Sequence, residues 1–533
     1  MSPLRLACAL ALFSLVGVSA SAQEAARYWI VVGETVAAPA PSPEAAARRA
    51  LRGTAAPSDR TLAPEARAEL LAHGVVPLVE SRWLGAVSAA LTAEQRAAVA
   101  ALPFVREVRP VGRFVPAEAD RAPLAEPLAF VSMTAPLAPW GAMPKAGPSL
   151  AQLASVGADR LLDAGYDGTG VTVGFLDTLY DFDHPALTHI GVSGRLAGVE
   201  DFTGPRQQSS FHGLAVSSIT LGGAEGMLLG PARGARVLAA TTEYAPTETH
   251  AEEDNFVAGL EWLEAQGVDV VNISLGYSTF DAGEGDFTYA DMDGNTTLVT
   301  RAADAAASRG VVIVTSAGNE GNSAWQYITA PADADSVITV GATRPGGIRA
   351  TFSSTGPTAD GRIKPDVMAQ GTNMVTATRG GAYSTTGQGT SYSAPLVTGV
   401  VAQLLQARPS LTPIQVREAL RSTASQASAP DNLMGWGVVN GPAALAVATA
   451  LETPPESLWR VGPSPVRAGS PLTVDTPEPL ALAVLDVLGR RVAEIPAGAR
   501  GRQTVLAPDL PSGLYFVWPE GGALPAQRLV IVR

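Results

Sequence analysis

Cysteine is almost absent from this chain of 533 residues: Cys8 is the only one. It lies in an N-terminal stretch that reads as a secretion signal. Arg5 is followed by an apolar core from Leu6 to Val18 and by Ala20-Ser21-Ala22 before Gln23, a small-residue cleavage site. A lipid-attachment cysteine would follow the apolar core, whereas Cys8 sits near its start. A chain processed after residue 22 would hold no thiol, which excludes disulfides, a cysteine nucleophile and cysteine-bound zinc. Lysine is nearly missing too: Lys145 and Lys364 are the only two, so arginine carries the remaining positive side chains. The net charge of −13 and the lack of any basic run argue against a nucleic-acid partner. No later segment reaches the ~18 uninterrupted apolar residues that a membrane span needs. With 46% apolar and only 16% charged residues, the chain can build sizeable cores and is not disordered in composition.

The length predicts about three or four domains, and the pattern divides accordingly. Residues 23–113 hold strand-like runs at Tyr28 to Val32 and Leu84 to Leu91, with a helix from Pro43 to Leu51 between them. A second helix, Thr92 to Leu102, turns Ala98, Val99 and Leu102 to one face, and a strand from Phe104 to Val111 closes a small α/β module. Residues 114–148 are rich in proline and alanine without sustained period and read as a cleavable linker. Residues 149–449 alternate strand and helix. Strands are expected at Val171 to Leu176, Val237 to Ala240, Val268 to Leu275, Val311 to Ser316 and Ser336 to Val340. Helices are expected at His212 to Leu221, Asn255 to Gln266, Thr297 to Ser308, Ser391 to Arg408 and Pro413 to Ser422. Such alternation implies an α/β fold with a parallel sheet covered by helices on both faces. In 455–533 helical patterns vanish, and short runs between Gly and Pro turns imply a β-sandwich-like domain.

The chemistry concentrates in Gly389-Thr390-Ser391-Tyr392-Ser393-Ala394-Pro395, directly ahead of the apolar run Leu396 to Leu405. A serine at a helix start has backbone N–H groups and the positive dipole end beside it, where an oxyanion can form. In a parallel sheet, functional groups gather at the carboxyl ends of strands. Asp177 follows one predicted strand, Asn319 follows another after a short turn, and His212 opens a helix. A serine hydroxyl needs a general base near neutral pH, which histidine supplies; a carboxylate orients that base, and an amide receives the oxyanion. The five histidines, His73, His184, His189, His212 and His250, all precede Ser391. That excludes the Ser…Asp/Glu…His order of α/β-hydrolases and leaves Asp…His…Ser.

In that order the chain resembles the subtilisin-like serine peptidases. Val173-Gly174-Phe175-Leu176-Asp177-Thr178 is similar to their aspartate motif and Phe211-His212-Gly213 to their histidine motif. Ser316-Ala317-Gly318-Asn319-Glu320-Gly321 is similar to their oxyanion-hole segment, and Gly389 to Pro395 to their serine motif. Asn272-Ile273-Ser274-Leu275-Gly276 is like the strand lining their substrate cleft. The resemblance implies a subtilisin-like fold and a secreted endopeptidase acting on protein or peptide substrates. It implies Asp177, His212 and Ser391 as the catalytic set and Asn319 in the oxyanion hole. Ser274, Leu275, Gly276, Ala317 and Gly318 are then expected to bind substrate. Three positions depart from the family pattern: Leu179 replaces a glycine after the aspartate motif, and Leu214 and Ala215 replace the end of the histidine motif. They sustain one alternative, a surface adhesion or binding protein on a weak or inactive peptidase scaffold. Ala86 to Val111 resembles the end of the family's inhibitory propeptide, which implies that the chain carries its own inhibitor, removed by cleavage within 114–148. Pro463 to Val466, Val484 to Arg491 and Leu510 to Tyr515 resemble a type IX secretion sorting domain, which implies the secretion machinery as a partner.

Blander roles exist for each residue. Serine favours helix N-caps, aspartate favours turns after strands, and asparagine in a Gly-rich loop favours left-handed turns. Asp181 and Asp183 read as turn or ion-pair residues. Asp291-Met292-Asp293-Gly294-Asn295 resembles part of a calcium loop, but Tyr289 and Thr300 stand where an EF-hand needs acids, so a turn capping a helix at Thr297 is expected. No cofactor is expected for catalysis. Structural calcium is common in the family, and the sequence assigns no ligands to it.

Overall fold

The structure, a computed structural model, describes residues 26–54, 59–110, 146–204, 209–450, 460–462, 464, 466–476, 481–486, 490–495, 501–519 and 527–532. The signal-like residues 1–22 and nearly all of the linker lie outside them. The chain forms two compact units, divided at Ala448/Thr449.

The first unit begins with the small α/β module. Strands β1 (Ala26–Val32), β2 (Val79–Ser81), β3 (Ala86–Leu91) and β4 (Val105–Pro110) form an antiparallel sheet in the order β2-β3-β1-β4. Helix α1 (Pro43–Leu51) starts at the Ser42 cap, and α3 (Ala93–Ala100) starts at a Thr92/Gln95 capping box. A further helix, α2 (Pro64–Ala72), starts with Pro64 and Glu65 but has no capping side chain and only Ala66 and Leu70 buried, so no apolar stripe announces it in sequence.

The rest of this unit is built on seven parallel strands: β5 (Thr172–Asp177), β6 (Leu196–Asp201), β7 (Arg236–Thr241), β8 (Val270–Ile273), β9 (Val312–Ser316), β10 (Ile338–Thr343) and β11 (Val367–Gln370). Their order is β11-β10-β9-β8-β5-β7-β6. Five of the seven match predicted strands. The other two are weak signals for physical reasons. β6 is an edge strand whose last three residues are exposed, so it lacks an apolar run, and β11 has four residues. Helices α4 (His212–Leu221), α5 (Ala251–Ala265), α6 (Leu298–Ser308), α7 (Thr390–Ala407) and α8 (Pro413–Thr423) cover the sheet. Helix α5 starts four residues earlier than the periodicity predicts. Its first turn, Glu252-Glu253-Asp254, breaks the apolar pattern but suits a helix N-terminus, and all three acids are buried. Ala146 and the short turn Gly147–Ser149 already belong to this fold, so the expected linker ends a few residues before 148.

The α/β module lies on α5 and α6 through charge and through an apolar cluster that joins Trp29 and Ala86 to Phe256 and Val257. Arg48 donates to Val268 O at 2.6 Å and pairs with Glu264; Arg49 bonds both Glu264 oxygens, at 2.9 and 2.7 Å. Arg52 pairs with Asp269 at 2.8 Å and bonds Gly310 O. Two buried guanidiniums thus satisfy carbonyls just beyond the C-terminal ends of two helices, where orphan acceptors and the negative dipole end favour a cation.

The second unit is all β. Strands at 460–462, 471–476 and 501–506 make one sheet, and strands at 466–467, 482–485, 491–495, 513–519 and 527–532 make another. Leu472 and Val474 of the first share a buried core with Val484, Val517, Leu529 and Ile531 of the second.

Candidate active site

The strand order reverses beside β5, the first strand of the sheet, which lies between β8 and β7. The crevice at such a point, beyond the carboxyl ends of the strands, is where α/β sheets place their chemistry. Asp177 is the last residue of β5, Ser274 follows β8, and the loop bearing Asn319 follows β9.

Asp177 is fully buried. Its Oδ1 accepts Thr178 N–H at 2.7 Å and Thr178 Oγ1–H at 3.2 Å. His212 Nδ1 faces both carboxylate oxygens, at 2.8 and 2.9 Å. Burial lowers the imidazole pKa, but the charge and hydrogen bond of Asp177 outweigh it, and the net shift is upward. Helix α4 brings His212 to this point by close backbone approach. A Cβ at Gly213 would lie 2.9 Å from Leu179 O and 3.0 Å from Thr178 O, so only glycine fits. The three departures from the family pattern gather at this contact. Leu214 N–H bonds Leu179 O at 3.0 Å, Leu214 is fully buried, and Ala215 is nearly so. They replace none of the polar groups of the Asp177–His212 pair.

Ser391 sits in the first turn of α7. The preceding Gly389 has φ +148°, which a residue with a side chain rarely adopts. Helix α7 contains Pro395, whose missing N–H leaves the carbonyl of Ser391, four residues back, without its helical partner. Ser274 Oγ supplies the bond instead, at 2.8 Å, while Ser391 Oγ donates to Ser274 O at 3.2 Å. Asn272 Nδ2 bonds Ser274 Oγ at 2.9 Å, and Asn272 Oδ1 accepts Thr398 Oγ1–H at 3.0 Å, tying this clasp to the interior of α7. Among the described residues no hydrogen bond joins Ser391 Oγ to His212.

Asn319 is exposed. Its Oδ1 accepts Thr390 N–H at 2.9 Å and Thr390 Oγ1–H at 3.0 Å. With the oxygen held, Nδ2 is the end left to receive a ligand beside the start of α7. Gly276 is exposed, and none of the described residues bonds its backbone groups. At Ala317 and Gly318, also expected to bind substrate, most backbone groups are already paired. Both are buried; Ala317 bonds Val340 O at 3.0 Å and accepts Thr329 N–H at 3.3 Å, and Gly318 O accepts Ser354 N–H at 3.0 Å. Those groups hold the Asn319 loop in place. Thr178, Thr390 and Asn272 escaped sequence reasoning because a hydroxyl or amide that positions another side chain leaves no pattern of its own.

The other four histidines serve elsewhere: His184 bonds Ala382 O at 3.0 Å, His189 Arg233 O at 3.3 Å and His250 Gly285 O at 3.0 Å, and His73 lies 3.6 Å from Glu69. Asp293 closes a turn, accepting N–H groups of Asn295 and Thr296 at 2.8 Å each, ahead of the Thr297 cap of α6. Among the described residues no group of three or more His, Cys, Asp or Glu is arranged to hold a metal ion.

A seven-strand parallel sheet with an Asp–His pair and a helix-start serine at its switch point defines a serine-peptidase scaffold. Residues 168–437 match the profile of the Subtilase family, and the chain belongs to that family. It is 33% identical to subtilisin E of Bacillus subtilis (strain 168) over 276 residues, covering 51% of this chain and 65% of that protein. It is 32% identical to a subtilisin of Bacillus pumilus over 295 residues, 55% of this chain and 97% of that one. Serine protease AprX of Bacillus subtilis (strain 168) is 30% identical over 307 residues, covering 51% of this chain and 65% of that protein. A solved structure titled as that of the prenylagaramide maturation protease PagA is 24% identical, with a TM-score of 0.44, over 55% of this chain and 99% of that one.

Proposed function

We propose that the protein is a secreted serine endopeptidase that hydrolyses peptide bonds through an acyl-enzyme. The observation that carries this reading is the His212 Nδ1 contact with both Asp177 oxygens, 2.8 and 2.9 Å, across from a serine at a helix start. Ser391 Oγ rotates from Ser274 O, passes its proton to His212 Nε2 and bonds the scissile carbonyl carbon. The carbonyl π pair moves onto oxygen, beside Asn319 Nδ2 and the Ser391 N–H. Collapse expels the amine, which takes the proton from His212, and water repeats the sequence to release the acid. Asp177 keeps the imidazole tautomer and stabilises the imidazolium. Substrate backbone pairs with the open edge at Ser274 to Gly276 as an added strand.

The flanking regions fit the same reading. Residues 23–113 act as an inhibitory propeptide, supported by the arginine contacts of α1 with α5 and α6, and maturation cuts within 114–148. The domain at 455–533 acts as a type IX sorting signal, supported by its all-β architecture and the motifs named above. No helix among the described residues is long and apolar enough to cross a membrane. Casein hydrolysis tests the reading: the matured wild type degrades casein and Ser391→Ala does not. Equal activity of the two would leave the binding-protein alternative.

A further inference from the structure

One aromatic ring at the site has no role in the sequence above. The ring of Tyr392 lies over the imidazole of His212, with centroids 5.9 Å apart and planes 30° from parallel. Tyr392 directly follows Ser391 in the first turn of α7, so the nucleophile and this ring ride on one rigid helix start, while the base rides on α4. The imidazole itself is bonded along one edge only. Asp177 holds Nδ1, and among the described residues nothing bonds Nε2. A ring held at Nδ1 alone can swing Nε2 out of line by rotating about its side-chain bonds, toward the solvent that reaches 30% of this side chain.

Tyr392 stands against that swing. Gly387 makes room for this ring, since a Cβ there would lie 3.2 Å from Cε2 and 3.3 Å from Cδ2. Burial, with the charge of Asp177 adding to it, keeps the Tyr392 phenol above its ordinary pKa, so the ring stays neutral where the enzyme works. Among the described residues, Asp177 is the charged group acting on the imidazole and Tyr392 the ring beside it; Arg379 is turned to the neighbouring Phe211 ring, 5.3 Å from its centroid. A neutral π-face beside an imidazolium is attractive, and the attraction is absent for neutral imidazole.

We propose that Tyr392 is a positioning residue for His212: its ring keeps Nε2 directed at Ser391 and stabilises the imidazolium formed when Ser391 transfers its proton. The proposal rests on the triad reading. It makes the residue after the nucleophile part of the base's mounting, so that a single helix start aims both partners of the proton transfer.

The test uses the matured wild type and Tyr392→Phe, Tyr392→Leu and Tyr392→Ala, each expressed as the full chain. The readouts are kcat and KM on a peptide substrate across pH, and labelling of Ser391 by an organophosphorus reagent. Tyr392→Phe keeps the ring and stays within about twofold of wild type, because ring contact rather than the hydroxyl is the working part. Tyr392→Ala loses about tenfold in kcat with KM nearly unchanged, as misorientation of a proton acceptor predicts. Its acid limb moves down by about half a pH unit. Tyr392→Leu keeps bulk without a π-face, so it shows the shift with a smaller loss in kcat. The proposal is overturned if Tyr392→Ala keeps the wild-type limb and kcat, or if Tyr392→Phe falls as far as Tyr392→Ala. Failure of the wild type itself to take label at Ser391 overturns the triad reading instead, and the proposal with it.

Discussion

Ser274 and Ser391 hold each other by two crossed hydrogen bonds: Ser274 Oγ to Ser391 O at 2.8 Å and Ser391 Oγ to Ser274 O at 3.2 Å. The first bond exists because Pro395 leaves the Ser391 carbonyl free. The second holds the Ser391 hydroxyl proton on the residue that follows β8. Ser274→Ala removes the first bond, and a single net hydrogen bond of about 1 kcal/mol corresponds to a loss of about fivefold in kcat. Steady-state kinetics with KM followed separately checks this. Pro395→Ala offers Ser391 O a helical N–H again and is expected to make Ser274→Ala less costly in the double variant.

Asn319→Ala is expected to lower kcat by about 100- to 1,000-fold with little change in KM. That size is the known effect of removing an oxyanion donor in a subtilisin, carried over to this site. Thr390→Val keeps the backbone bond to Asn319 Oδ1 and loses the one from the hydroxyl, so a loss of only a few-fold is expected. A Thr390→Val effect as large as that of Asn319→Ala would contradict the division of roles.

Activity requires neutral His212, and its pKa is raised. The acid limb of kcat/KM therefore lies above the ordinary histidine value of about 6.5. Asp177→Asn removes the charge that raises it, so the limb moves to lower pH while turnover collapses. For stability the sign is fixed by the same shift. The Asp177–His212 pair stabilises the fold fully below the unfolded pKa of about 6.5, and that contribution is lost as pH rises through the higher folded pKa. Thermal unfolding of wild type and Asp177→Asn across this window reads it out.

How much of this was legible varies by residue. The boundaries of α4 match the predicted helix at both ends, and Asp177, His212, Asn319 and Ser391 fall at the sheet's carboxyl edge, because strand–helix alternation and turn glycines mark such points in the chain. Strand β6 was not legible, since an exposed edge carries no apolar run. The start of α5 was misread for the opposite reason: Glu252, Glu253 and Asp254 look solvated in sequence, yet all three are buried. Tyr392 was in plain view within the serine motif, but nothing in a linear chain shows that its ring meets an imidazole 180 residues earlier.

The arginine contacts of α1 make a separate prediction. Arg48 and Glu264 have almost no side-chain exposure, at 2% and 0%. Removing the Glu264 charge strands Arg48, at a cost of about 3–5 kcal/mol, whereas removing Arg48 leaves Glu264 paired with Arg49. Glu264→Gln should destabilise the uncut chain by that order in chemical denaturation and Arg48→Ala by less, whereas Arg490→Ala, at a side chain 73% exposed, should change it by less than about 1 kcal/mol.

The central claim is that Ser391 is a nucleophile activated by His212. Incubation of the matured protein with an organophosphorus reagent, followed by peptide mass spectrometry, addresses it directly. The account predicts one adduct per chain, on Ser391, abolished by Ser391→Ala and strongly slowed by His212→Ala. No adduct, or one on another serine, would contradict it.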